Sequence, residues 1–324
     1  MNKKEKEKYI LNMIFSSKGV EILETEEPDF IITDNNKKLV FGVEITEFFV
    51  DDCYARLQNI PSYFSDVINK GKYYKKGDNK KLPAEKVKII NKDVSESEEI
   101  SAIITDVPSR DNYSKKLIQR IEDKNSKINN YRKKTDTHYL IIFDNQNCLS
   151  PRTTSDLYET IFTLDLSKAI INSDFKEIFF ITRIKDKFIF YRLKQVNFIA
   201  LCYLSLDFAK SKTKDKIDAF GLFITILNYL NINFTIGFCE KEQNIEITYD
   251  IYNVILKEID EQLDITNSTS IFNYTIKTQN IISPQEYYIK YFDSIKDEYI
   301  EFLKTKVIKF DVSSKVLNDL NFNK

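Results

Sequence analysis

Asp29 and Glu44 are the two residues of this chain best placed to do chemistry together. Asp29 opens the apolar run Phe30-Ile31-Ile32-Thr33, Glu44 lies near the end of the run Val40 to Glu47, and the polar stretch Asp34-Asn35-Asn36-Lys37 separates the two runs. That pattern predicts two strands joined by a turn. Successive strand residues point to opposite faces, so Asp29, Ile31 and Thr33 share one face of the first strand. Gly42, Glu44 and Thr46 share a face of the second, with Phe41, Val43 and Ile45 directed into a core. The two carboxylates then meet on neighbouring strands beside the open spot left by Gly42. Hard oxygen ligands converging this way suit Mg²⁺, with Mn²⁺ as a substitute, because that ion takes one or two carboxylates and fills its shell with water and substrate phosphate.

Pro28-Asp29, the hairpin spacer and Glu44-Ile45-Thr46 together resemble the signature of the PD-(D/E)XK nuclease superfamily, the restriction-endonuclease-like fold. The resemblance covers residues 1–195 in layout and Pro28 to Glu47 in motif. Thr46 stands where that family usually carries lysine. What the resemblance implies is a metal held by Asp29, Glu44 and the Ile45 backbone carbonyl. Thr46 would orient water there but cannot supply the cation. Lys124 and Lys127 are the candidates to replace it, followed by Lys38. Glu21 is a candidate extra metal ligand, with Glu24 and Glu7 as further acids, whereas alternation puts Glu47 on the opposite face from Glu44. The triplet alone is not specific: Glu246-Ile247-Thr248 repeats it without a Pro-Asp, behind a run that offers Asn233 in place of an acid. The joint pattern of acid, spacer, glycine and acid occurs once.

Charge distribution bears on the partner. The chain has 324 residues, 42% hydrophobic and 30% charged, which marks a folded globular protein and not a disordered one. Its net charge is only −1, yet Lys70 to Lys92 holds nine lysines against two acids, and Tyr113 to Lys134 eight basic residues against two. Residues 201–324 carry 14 basic and 18 acidic side chains. Two basic stretches beside the motif suit nucleic-acid phosphates, and Lys115, Lys116, Arg120, Lys75 and Lys76 are the expected contacts. The stretch around Tyr73 and Tyr74 also reads as a mobile charged loop, and the two readings are compatible.

Cys53, Cys148, Cys202 and Cys239 include no close pair, and one histidine, His138, cannot complete a zinc site. His138 reads as a packing or capping residue. The Lys/Glu-rich N-terminus has no apolar run of signal-peptide length, so a cytoplasmic protein with reduced thiols is expected. Ala219 to Cys239 is free of charge, but Asn228, Asn231 and Asn233 interrupt it, predicting a buried helix and a strand instead of a membrane span.

The positioning elements follow from periodicity. Helices are predicted over 5–15, 54–68 (bent or divided at Pro61), 115–134 and 157–171, the third with Leu117, Ile121, Ile128 and Tyr131 on one stripe. Strands are predicted over 20–23, 139–143, 177–182 and 187–193 in addition to the motif pair. A charged insertion spans 70–112, with strands at 86–91 and 100–104. The fold class is therefore α/β: a restriction-endonuclease-like core, residues 1–200, with a central mixed sheet flanked by helices, followed by an additional α/β lobe, residues 201–324. In that lobe helices are predicted over 214–230, 252–263 and 284–303, and strands over 233–237, 245–249, 270–277 and 306–310.

The expected function is a Mg²⁺-dependent endonuclease acting on DNA, in bacterial genome or anti-phage defence by resemblance, with homodimerisation or a defence-system partner protein possible. Two alternatives stay open: a decayed nucleic-acid- or partner-binding protein on the same fold, and an RNA-cleaving growth-arrest effector.

Overall fold

The computed structural model describes residues 2–15, 20–34, 40–90, 97–105, 108–131, 135, 137–144, 163–184, 187–211, 219–239, 244–249, 252–257, 263–264, 281–282 and 292–305. Lys38, Cys148 and the strands expected at 270–277 and 306–310 lie outside these residues.

A six-stranded mixed sheet forms the centre. It is built from β1 (Val20–Glu24), β2 (Phe30–Asp34), β3 (Val40–Glu47), β6 (Thr137–Phe143), β7 (Glu177–Ile184) and β8 (Lys187–Arg192), in the order β1-β2-β3-β6-β7-β8. The β1-β2-β3 meander and the β7-β8 hairpin are antiparallel, while β3, β6 and β7 run parallel. Buried on both faces, β6 reads Thr-His-Tyr-Leu-Ile-Ile-Phe, the near-continuous apolar run that a covered parallel strand requires.

Each face has its own helical cover. On one, α1 (Lys3–Ile14) lays Ile10, Leu11 and Ile14 against Phe30, Ile32, Phe41, Val43 and Ile45. On the other, α5 (Arg110–Asn125) and α6 (Leu164–Ile171) bury Tyr113, Leu117, Ile121, Leu166 and Ile170 against Leu140, Ile142, Ile178 and Phe180. The helix predicted over 115–134 therefore ends nine residues early, and Tyr131 lies beyond a short 3₁₀ turn, Ile128–Asn130. Asn125 explains the stop: its side-chain oxygen accepts from the Asp174 N–H at 2.7 Å and the Ser173 hydroxyl at 3.1 Å, drawing that turn onto the loop before β7.

The insertion is a folded unit. Pro61 divides the expected helix into α2 (Asp52–Asn59) and α3 (Tyr63–Lys70), followed by the short α4 (Asp78–Lys81) and the hairpin β4 (Ala84–Ile90) with β5 (Ser97–Ile103). Buried Asp78 accepts from both Arg56 and Tyr63, whose contacts hold its carboxyl below the usual range. The described part of 70–92 is thus anchored at its base, where the sequence suggests a mobile loop.

Helix α7 (Leu193–Ser211) runs across the expected domain boundary at 200/201. Its start packs Leu193 and Val196 into the α5/α6 core, and its remainder packs Phe198, Leu201 and Phe208 with α8 (Ala219–Tyr229) and Ile236 and Ile247 of a second sheet. That five-stranded sheet has the order β12-β11-β10-β9-β13, from β9 (Thr235–Cys239), β10 (Asn244–Tyr249), β11 (Tyr252–Lys257), β12 (Leu263–Asp264) and β13 (Ile281–Ile282). The helix expected over 252–263 is corrected to strand β11. Tyr249 pairs with Tyr252, and β-branched Val254 and Ile255 continue the ladder with β10. The final described helix, α9, covers Phe292–Thr305. No described helix is long and apolar enough to cross a membrane.

Candidate active site

The ladder that sets the site is β2 against β3, with Phe30 opposite Val43 and Ile31 opposite Gly42. One step further brings Asp29 level with Glu44. Both are buried, 6% and 7% exposed. Asp29 Oδ2 accepts from the Ile45 N–H at 2.8 Å, closing the gap where β2 has ended. In an antiparallel ladder one residue's N–H and C=O leave the strand on the same side, so the Ile45 carbonyl is directed towards that gap as well.

Gly42 is not beside an open spot, contrary to the sequence reading. A Cβ there would stand 2.7 Å from Pro28 Cγ and 2.8 Å from His138 Cδ2, so these two rings already fill the space. His138 lies opposite Gly42 on β6, with its Nε2 3.1 Å from the Thr135 hydroxyl and its ring 5.2 Å from that of Tyr131. Burial lowers its pKa, and its contacts are those of a packing residue. Gly42→Ala should cost about 1–3 kcal/mol through overpacking, measured by chemical denaturation. An unchanged midpoint would contradict the packing described here.

Two lysines reach the acids. Tyr113, Leu117 and Ile121 form the buried stripe of α5, and Lys124 continues it three residues on. Its Nζ stands 2.5 Å from Glu44 Oε1. Lys127 falls after the helix end and is exposed. From α1, Lys4 Nζ lies 3.0 Å from Glu7 Oε2 and 3.4 Å from Asp29 Oδ1, and donates to the Thr25 carbonyl at 2.8 Å. Glu7 is itself buried, making a third carboxylate nearby.

The remaining candidates are dispersed. Glu21 is exposed and pairs with Thr33, four residues along the ladder from Asp29, roughly 13 Å at strand rise. Glu24 pairs with Lys8. Glu47 meets Lys6 of α1 at 2.5 Å, on the face opposite Glu44. Thr46 is buried on the Glu44 face, opposite Ile142, with its hydroxyl 3.5 Å from the Glu47 carbonyl. Lys115, Lys116, Lys75 and Lys76 are exposed and Arg120 half-buried.

Sequence reasoning missed Lys4 and Tyr131. Lys4 was legible as the i,i+3 partner of Glu7. Tyr131 was assigned to a helical stripe, whereas its buried hydroxyl lies beside the Glu44 carboxylate. Burial and then Glu44 hold that phenol's pKa well above the usual tyrosine range. The phenol donates loosely to the Glu44 carboxylate, a hydrogen bond short of good geometry.

Burial, with the charge of Glu44 second, pushes the Asp29 carboxyl up to about 6, against the Ile45 N–H and Lys4, which pull it down. Folded Asp29 therefore keeps a proton that the unfolded chain releases between about pH 4 and 6. Its contribution to the stability of the metal-free protein falls as pH rises through that window, by up to about 3 kcal/mol. A divalent cation held by Asp29 would compete with the same proton. Mn²⁺ affinity should be about tenfold weaker at pH 5 than at pH 7, and calorimetric titration at both values would read it. A pH-independent affinity would exclude Asp29 as a ligand.

No three His, Cys, Asp or Glu side chains among the described residues stand close enough to enclose a metal. The available set is the two neighbouring carboxylates of Asp29 and Glu44 and the Ile45 carbonyl. That set is too sparse for zinc or a calcium cage and fits Mg²⁺, which retains several waters. Comparison with protein-family models, with curated proteins and with solved structures found no match.

Proposed function

We propose that this chain is a metal-dependent nuclease with a restriction-endonuclease-like core, hydrolysing phosphodiester bonds, most naturally those of DNA in genome defence. The observation that carries the reading is the convergence on Glu44: a buried carboxylate one step beyond the last β2/β3 pair, close enough for its charge to raise the Asp29 carboxyl, with one oxygen held by Lys124. Bound between Asp29, Glu44 and the Ile45 carbonyl, Mg²⁺ would lower the pKa of a water and neutralise charge at the phosphate.

The chain's own groups supply the rest. Lys124 brings from α5 the cation that Thr46 cannot, placed to stabilise charge developing on the phosphate oxygens. Asp29 and Glu44, both desolvated, hold their orientation through the Ile45 N–H and the Lys124 ammonium. Lys115 and Lys116 are exposed on the outer side of α5, Lys116 donating to Gln119 Oε1 at 3.2 Å, and both would meet backbone phosphates there.

A second reading has one specific support. The ion pairs of Lys124 with Glu44 and of Lys4 with Asp29 leave the acids substantially neutralised without any metal, as in a decayed site that only binds nucleic acid or a partner. Purified protein incubated with plasmid DNA and with single-stranded RNA in Mg²⁺ or Mn²⁺, beside Asp29→Ala and Glu44→Gln, separates the two. Metal-dependent cutting lost in both variants supports the nuclease and names its substrate. Salt-dependent DNA binding without cutting supports the decayed site, and cutting that survives both substitutions overturns the assignment.

A further inference from the structure

Six lysines lie between Lys70 and Lys81, and Asp78 is the one acid among them. Asp78 is buried and held by Arg56 and Tyr63, so it adds no exposed negative charge. Lys72, Lys75, Lys76 and Lys80 are exposed. Between them in the chain stands Tyr74, 46% exposed. The segment therefore offers phosphates a cationic surface with a large aromatic ring set into it.

A single exposed tyrosine is ordinary, but this one is braced. Its ring meets that of fully buried Tyr63 edge-on, with centroids 4.6 Å apart and planes at 73°. Its backbone N–H donates to the Tyr63 hydroxyl at 3.3 Å, and that hydroxyl donates to Asp78 at 2.6 Å. The neighbouring Tyr73 hydroxyl donates to the Leu82 carbonyl at 3.0 Å. Lys81 pairs with Asp51, the N-cap of α2, which ties the segment to the end of β3 that carries Glu44. A ring held this way loses little freedom when something lies on it.

We propose that Tyr74 is a stacking platform for an unpaired base, so that this segment binds single-stranded nucleic acid. The lysines attract the phosphates of any strand. The ring adds affinity only where a base face is open, which a duplex, with its bases stacked on one another, does not offer. Lys72 Nζ now lies 5.9 Å from the Tyr74 centroid, the outer limit of a cation–π contact. An entering base takes that place and the ammonium passes to the adjoining phosphate. The inference deepens the reading above by naming the form of the substrate, and rests on its nucleic-acid part alone.

Fluorescence anisotropy in metal-free buffer, comparing labelled oligothymidylate with an abasic strand of the same length, tests it without cleavage. Wild-type protein should bind the thymidine strand about tenfold tighter, as one stacked base provides. Tyr74→Ala should hold both strands alike, at the wild-type affinity for the abasic one, and Tyr74→Phe should keep the preference. Lys75→Gln combined with Lys76→Gln should weaken both strands equally and flatten the salt dependence. Equal wild-type affinity for the two strands, or a preference that persists in Tyr74→Ala, overturns the inference. So does loss of abasic-strand binding in Tyr74→Ala, which would make the ring a brace for the segment and nothing more. Metal-dependent plasmid cutting alongside any of these leaves the nuclease intact. Tyr74-dependent binding by a protein that cuts nothing leaves the platform standing and removes the nuclease.

Discussion

Glu44→Gln should lower metal-dependent cleavage about a thousandfold or more, equivalent to roughly 4 kcal/mol of transition-state stabilisation, without unfolding the protein. The substitution keeps shape and an acceptor oxygen for Lys124 at the 2.5 Å contact, and removes only the charge. Glu44 is buried near Asp29 and contributes to raising the Asp29 carboxyl, so removing that charge relieves repulsion in the metal-free state. Stability should hold or rise while activity collapses. Denaturant midpoints and single-turnover cleavage read the two effects separately. A variant that loses both together would make Glu44 a folding residue instead.

Lys124→Ala should act in the opposite sense on metal and on rate. Its ammonium competes with a cation for Glu44, so Mn²⁺ affinity should rise, whereas cleavage should fall about a hundredfold for loss of a preorganised charge at the phosphate. The metal-free protein should also lose on the order of 3 kcal/mol, because Glu44 is left buried without its counter-ion, and Mg²⁺ should restore part of that. Calorimetry, cleavage and melting in the presence and absence of Mg²⁺ measure all three. Weakened metal binding in Lys124→Ala would show that the lysine orders the ligands and does not compete with the ion.

How much of this was legible in the sequence differs by element. Alternation along the runs of β2 and β3 was enough to direct Asp29 and Glu44 to one side, because successive strand residues point to opposite faces. The apolar runs of β6 and β7 announced covered parallel strands. Lys124 was within reach as a basic residue on an amphipathic helix, but choosing it over Lys127 required knowing that Asn125 ends α5. Tyr131 was hidden for the same reason: its spacing continued a stripe that the helix does not. Helix α7 has no apolar stripe to read, because its two ends serve different cores. Strand β11 was masked by a helix-like pattern over 252–263 that pairing with β10 overrides.

A calorimetric titration of the wild-type protein with Mn²⁺, set against Glu44→Gln, tests the metal centre most directly. One site should bind in the wild type and weaken at least about tenfold in the variant, as loss of an anionic ligand demands. Equal affinities in the two proteins, or none in either, would contradict a metal held by Asp29 and Glu44.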